Sequence, residues 1–165
     1  AVSGCDWPAD VHNVAAGSEM DKFRKFTGLC FDLATEAQWE YACRAGTSGA
    51  LYNGANDPDD IAWHSANNGE SPKPVGLKLP NAWGLYDMHG NVSEFCADWF
   101  GPLTADAVTD PVGCDRTTAG SKRVLRGGGC QHSESCKGRS AYRTGTLAAA
   151  GDYGFRLIAP VTLKW

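Results

Sequence analysis

The chain has 165 residues, 42% hydrophobic and 21% charged, which suits one globular core and is too apolar for a disordered chain. Its net charge of −4, with no basic run longer than Lys122-Arg123, excludes nucleic acid as an electrostatic partner. No apolar stretch approaches the roughly 18 residues that a membrane-spanning helix needs, so no membrane insertion is expected.

In chain order, the first helix is expected at 19–27, where Met20, Phe23 and Phe26 recur at helical spacing and Gly28 ends the pattern. A second is expected at 35–45, with Thr35 as N-cap, Glu36 in the first turn and Gly46 as the stop. Trp39, Ala42 and Cys43 then share one face. Over 46–80 the periodicity gives way to Gly, Asn, Asp and Pro around Ile61-Ala62-Trp63, the mark of a long irregular loop that is functional or cross-linked. Short strands follow at 92–96, 123–126, 140–143 and 154–158, the last alternating Phe155 and Leu157 against Arg156. The fold class is α+β: a loop-rich domain with two helices and a small antiparallel sheet.

Seven cysteines (Cys5, Cys30, Cys43, Cys96, Cys114, Cys130, Cys136) include no C-x-x-C pair, which argues against a zinc knuckle or a thioredoxin-type motif. The odd count leaves at least one thiol free or paired with another chain. Cys43 and Cys96, set among apolar neighbours, read either as small buried hydrophobes or as disulfide partners.

The stretch Asp87-Met88-His89-Gly90-Asn91-Val92-Ser93-Glu94 places two carboxylates on either side of a tight Gly-Asn corner. Gly90 permits a sharp turn that lets main-chain carbonyls point between Asp87 and Glu94. Converging hard oxygens suit Ca²⁺ rather than Zn²⁺. A polar turn between two strands accounts for the same residues without a metal.

The segment Leu33-Ala34-Thr35-Glu36-Ala37-Gln38-Trp39-Glu40-Tyr41-Ala42-Cys43-Arg44-Ala45-Gly46-Thr47 resembles the LPTEAQWEYACRAGT segment of the formylglycine-generating enzyme, or sulfatase-modifying factor, family. In order behind it come Asn81-Ala82-Trp83-Gly84-Leu85-Tyr86-Asp87-Met88, the Gly90-Asn91-Val92 corner, Val124-Leu125-Arg126-Gly127-Gly128, and Arg139-Ser140-Ala141-Tyr142-Arg143 with Gly154-Phe155-Arg156-Leu157. The resemblance implies a C-type-lectin-like fold of the formylglycine-generating-enzyme type over a single domain, 1–165, with loops stabilised by structural Ca²⁺. It implies Asp87, Gly90, Val92 and Glu94 as calcium ligands, and Asp60 with Ile61 as part of a second site. The family's segment ahead of the Thr-Glu-Ala helix is longer than the one here, so the domain is expected to be compact or to lack part of it.

Members of the family oxidise a sulfatase cysteine with O₂, using copper(I) held by two cysteines spaced C-x4-C after Arg-Gly-Gly-Ser. Soft thiolates suit Cu(I). This chain has Cys130 and Cys136 spaced C-x5-C after Arg126-Gly127-Gly128-Gly129, a slip that weakens the oxidase reading. His132 between them reads as a surface residue rather than a third ligand, and His12, His64, His89 and His132 show no facial-triad spacing for iron.

The resemblance also extends to the variable proteins of diversity-generating retroelements, which end in a motif like Gly154-Phe155-Arg156-Leu157. The stretches 129–138 and 144–153 between the framework motifs mix small polar residues with Tyr, His and Leu, a composition suited to a contact face. The expected function is therefore a non-enzymatic ligand-binding domain, extracellular, cell-surface or virion-borne, whose partner is a protein or other surface ligand. Its face would comprise His132, Glu134, Lys137, Tyr142, Thr144, Leu147, Asp152 and Tyr153. The alternative is a copper oxidase with Cys130 and Cys136 as thiolates.

Overall fold

The computed structural model describes residues 14–51, 57–69, 71–103, 109, 111, 113–114, 120, 122–131, 139–147 and 153–159. Helix α1 spans Glu19–Thr27, capped by the Ser18 hydroxyl on the Asp21 N–H and closed by Gly28 at φ 70°. None of its residues is buried. Arg24 moors it, donating to the Phe31 carbonyl at 2.5 Å and to Asp32 at 2.9 Å.

Helix α2 spans Glu36–Arg44. Thr35 and Gln38 close a reciprocal capping box at its start, and Ala45 in the left-handed region ends it one residue before the expected glycine. The face expected from the sequence is the one that packs: Trp39 and Cys43 are fully buried, with Ala42 against the same cluster. Ile61, Met88, Cys96 and Val124 complete this core.

The strands are β1 (Asp32–Leu33), β2 (Ala62–Trp63), β3 (His89–Gly90), β4 (Ser93–Trp99), β5 (Arg123–Arg126), β6 (Arg143–Thr146), β7 (Tyr153–Phe155) and β8 (Leu157–Ile158). Four of them form one sheet in the order β6-β5-β4-β7, while β1 pairs with β8 and β2 with β3. The sheets are mixed rather than antiparallel throughout, because β7 joins β4 and β3 joins β2 in parallel. Within the 46–80 region, Pro58–Asp60 forms a 3-10 turn that delivers Ile61 into the core.

Two expected strands move. Residues 140–142 form a turn instead of opening β6: the Ser140 and Ala141 carbonyls accept from Arg126, and the Tyr142 N–H closes onto Arg139. The 154–158 strand is split at Arg156, and its expected alternation fails at Phe155. Phe155 is 62% exposed while Arg156 turns inward to Glu94.

Candidate functional site

The acidic corner is built on three left-handed residues, Asp87, Gly90 and Asn91. Gly90 pairs with Trp63 so closely that a Cβ there would lie 2.2 Å from the Trp63 carbonyl oxygen. The Asn91 side chain clasps the main chain of Lys73, accepting its N–H at 2.9 Å and donating to its carbonyl at 3.1 Å. These contacts fix Asp87 and Glu94 along one cavity of about 470 Å³, whose wall also includes Tyr86, Val92, Phe155 and Arg156.

Glu94 is already engaged. Its Oε2 accepts from Trp39 Nε1 at 2.6 Å and from Arg156 Nε at 2.7 Å, and its Oε1 accepts from Arg156 Nη2 at 2.7 Å. Burial alone lowers the Arg156 pKa, but the bonds to Glu94 and the charges of Glu94 and Asp87 outweigh it, so the net shift is upward. Asp87 Oδ2 accepts the Gly76 N–H at 2.7 Å. Its Oδ1 is buried without a hydrogen-bond partner.

Calcium takes about six to eight oxygens. Three of Glu94's roughly four acceptor positions are filled, and an ion on the remainder would sit against the Arg156 guanidinium. Asp87 Oδ1 and the open position on Glu94 are the side-chain oxygens that would hold a cation here, beside the Arg156 guanidinium. Among the described residues, no three His, Cys, Asp or Glu side chains form a group that could hold a metal.

At the second expected position, Ile61 is fully buried and the Asp60 carbonyl accepts the Leu79 N–H at 2.9 Å. Beside it Asp59 is held by His64 Nε2 at 2.7 Å and Asn67 Nδ2 at 2.9 Å. The Lys78 ammonium donates to the Asp59 carbonyl and lies 4.0 Å from the centroid of the Trp63 ring.

Of the residues expected to bind, Thr144 lies on β6 and Tyr153 on β7, the two edge strands of the sheet. Cross-strand register aligns Thr144, Leu125, Phe95 and Phe155, with Tyr153 beside Ser93, so Thr144 and Tyr153 project from the same face. Tyr153 packs edge-on against Phe95 at 5.7 Å, Leu147 is exposed at the end of β6, and Tyr142 is half-buried just before it. His132, Glu134, Lys137 and Asp152 lie outside the described residues.

Behind that face lies a charged knot that sequence reasoning missed. Arg143 grips both oxygens of Glu36, at 2.6 and 2.7 Å. Arg126, only 1% exposed, reaches Glu36 at 3.3 Å, Glu40, and the Ser140 and Ala141 carbonyls. Asp98 accepts the Glu36 and Gly113 N–H groups, each at 2.5 Å, and burial pushes its carboxyl pKa up. The one sequence signal was the pair Glu36 and Glu40, one turn apart on α2.

Cys130 is fully buried, and Cys136 lies outside the described residues. The Cys130 main chain is fixed by Asn91, whose carbonyl accepts its N–H at 2.8 Å, and by Asn68, whose side-chain amide donates to its carbonyl at 2.8 Å. Cys43 and Cys96 are free and buried, and Cys30 is disulfide-bonded. Burial raises the Cys43 thiol pKa to about 11, despite opposing interactions with Ser140 and Arg126, so it is a packing residue rather than a nucleophile.

The family model for the sulfatase-modifying factor enzyme 1-like domain matches residues 3–161. The chain belongs to the sulfatase-modifying factor family. Within it, the chain is 35% identical over 144 residues to the formylglycine-generating enzyme of Streptomyces coelicolor, covering 75% of this chain and 45% of that protein. Among solved structures, Treponema denticola variable protein 1 matches with a TM-score of 0.69 and 37% identity, over 77% of this chain and 46% of that one. PvdO from Pseudomonas aeruginosa matches with a TM-score of 0.70 and 28% identity, over 85% and 56%. The sulfatase-modifying factor domain described here thus spans about half the length of these relatives, and its fold is the C-type-lectin-like one of the formylglycine-generating type.

Proposed function

We propose that the chain is a non-enzymatic ligand-binding domain, a scaffold that presents a C-terminal contact face in the manner of a diversity-generating retroelement variable protein. The observation that carries this reading is a separation of tasks around the sheet. Glu36, Glu94, Arg126, Arg143 and Arg156 are committed to internal ion pairs. Tyr142, Thr144, Leu147 and Tyr153 stand outside that network on the approaches to the edge strands. The likeness to Treponema denticola variable protein 1 supports the same reading. The partner is a protein or other surface ligand, and the disulfide at Cys30 supports an extracellular, cell-surface or virion location.

The second reading is a formylglycine-generating-type copper oxidase, favoured by the 35% identity to the Streptomyces enzyme. Cys130 and Cys136 would hold the copper(I), which would supply the reaction with oxygen.

One library separates the two. His132, Glu134, Lys137, Tyr142, Thr144, Leu147, Asp152 and Tyr153 are randomised together, displayed, and selected against lysozyme as a model protein. Most variants should stay folded and some should bind. General loss of folding, or conversion of a cysteine peptide to formylglycine by the copper-loaded parent, would refute the binding reading.

A further inference from the structure

Helix α1 stands off from the sheet. Arg24 ties it to the Phe31 carbonyl and to Asp32, and Phe23 packs on Phe31 with ring centroids 5.1 Å apart, yet no residue of the helix is buried. Its apolar residues Met20, Phe23 and Phe26 line one wall of an open groove of about 640 Å³. The facing wall is made of two cross-strand pairs, Leu33 with Leu157 and Phe95 with Phe155. Phe26 is 89% exposed and Phe155 62%, so large apolar side chains meet water around a concavity of ligand-binding size. The only charged lining residues are Glu19 and Lys22, which bond each other at 2.6 Å and leave the rim without net charge.

We propose that this groove is the apolar anchor site of the contact face, where a protein partner inserts a bulky uncharged side chain between α1 and the sheet. The proposal rests on the ligand-binding reading and adds the partner's chemistry to it. Continuity with the face is its main support. Thr144, Leu125, Phe95 and Phe155 form one cross-strand row, and Tyr153 packs edge-on against Phe95 at 5.7 Å. A partner touching Thr144 and Tyr153 therefore lies beside the groove, and an apolar side chain seated in a pocket is where interfaces concentrate their binding energy. The neutral rim selects against a fatty acid, whose carboxylate would find Lys22 already matched and Glu19 repelling it. The chain's net charge of −4 selects against an anionic lipid surface. A symmetric pair of copies would set one concave groove against another and fill neither.

The test titrates the whole chain with acetyl-Gly-Trp-Gly-amide, followed by NMR of the Leu33 and Leu157 methyl groups and the phenylalanine rings. The expected result is saturable shifts confined to the groove, with a Kd of about 1 mM, and none with acetyl-Gly-Gly-Gly-amide. Phe26→Asp and Phe155→Asp should each weaken binding at least about tenfold. If Phe155→Asp does not fold, Phe26→Asp decides alone, since that side chain is almost wholly exposed. Absent shifts, or shifts that neither variant weakens, would overturn the proposal. So would palmitate binding the groove more tightly than the tripeptide, a dimer in sedimentation that Phe26→Asp dissolves, or nuclear Overhauser contacts from the groove to residues 160–165 of the same chain. Library clones that bind lysozyme while the tripeptide does not bind the parent would sink the anchor site and leave the ligand-binding reading standing. Tripeptide binding with no binding clone would sustain the anchor site and sink the randomised face.

Discussion

Gly90→Ala tests whether the corner is as tight as the geometry makes it. The new methyl carbon would lie 2.2 Å from the Trp63 carbonyl oxygen and 2.9 Å from its carbonyl carbon, in a backbone held at φ 73°. An L-residue in that region costs about 1–2 kcal/mol. Relieving the overlap moves β3 off β2, which adds about 1–3 kcal/mol of packing strain and loses the Asn91-to-Trp63 hydrogen bond, about another 1 kcal/mol. The total is about 4 kcal/mol, or a fall in melting temperature of roughly 8–16 °C for a domain of this size. Gly84→Ala is the control: its φ is 76°, but nothing lies within 4 Å of the added carbon, so only the backbone cost applies. Urea denaturation of both variants against the parent gives the two free energies. Equal losses at Gly90 and Gly84 would refute the claim that close approach of the two strands, rather than backbone conformation alone, demands the glycine.

Glu36→Ala strips Arg143 of its bidentate partner and leaves Arg126 short of one carboxylate, so chemical denaturation should show a loss of about 3 kcal/mol. A loss no larger than that of an exposed ion pair would mean the knot is decorative. Asp98 gives a pH test. Its folded pKa is raised by burial above the ordinary carboxylate value, against the opposing pull of the Glu36 and Gly113 N–H groups. A raised folded value means that its contribution is fully present below the unfolded pKa and is lost as pH rises through the folded one. Relative to Asp98→Asn, the parent should therefore gain stability as pH falls from neutral into the carboxylate range. The opposite slope, or an NMR titration midpoint for Asp98 at or below 3.8, would contradict this.

The helices were legible because their signals are local. Thr35 caps, Gly28 stops, and Trp39 with Cys43 marks the buried face. The 123–126 strand was legible for the same reason, since Val124 and Leu125 are both buried in a short apolar run. What the sequence hid depends on partners far along the chain. Arg156 lies 62 residues from Glu94, and its alternation with Phe155 and Leu157 suggested an outward residue. Nothing local distinguishes a guanidinium that seeks solvent from one that reaches a carboxylate in another strand. The turn at 140–142 was missed likewise, because the group that captures its carbonyls belongs to β5. At the acidic corner the residue types were read correctly as a place where negative charge collects. That Arg156 meets Glu94 there is decided by tertiary folding, and nothing within the motif itself announces it.

The guanidinium of Arg126 holds two successive carbonyls, those of Ser140 and Ala141, just before β6 begins. Its own strand ends only a few positions before the Gly129–Cys130 segment departs. Both ends of the excursion between β5 and β6 are thus nailed to one side chain, and the pairing of Thr144 with Leu125 does not depend on how long that excursion is. A change in sequence between Cys130 and Arg139 removes neither the Arg126 contacts to Ser140 and Ala141 nor the register of β6 on β5.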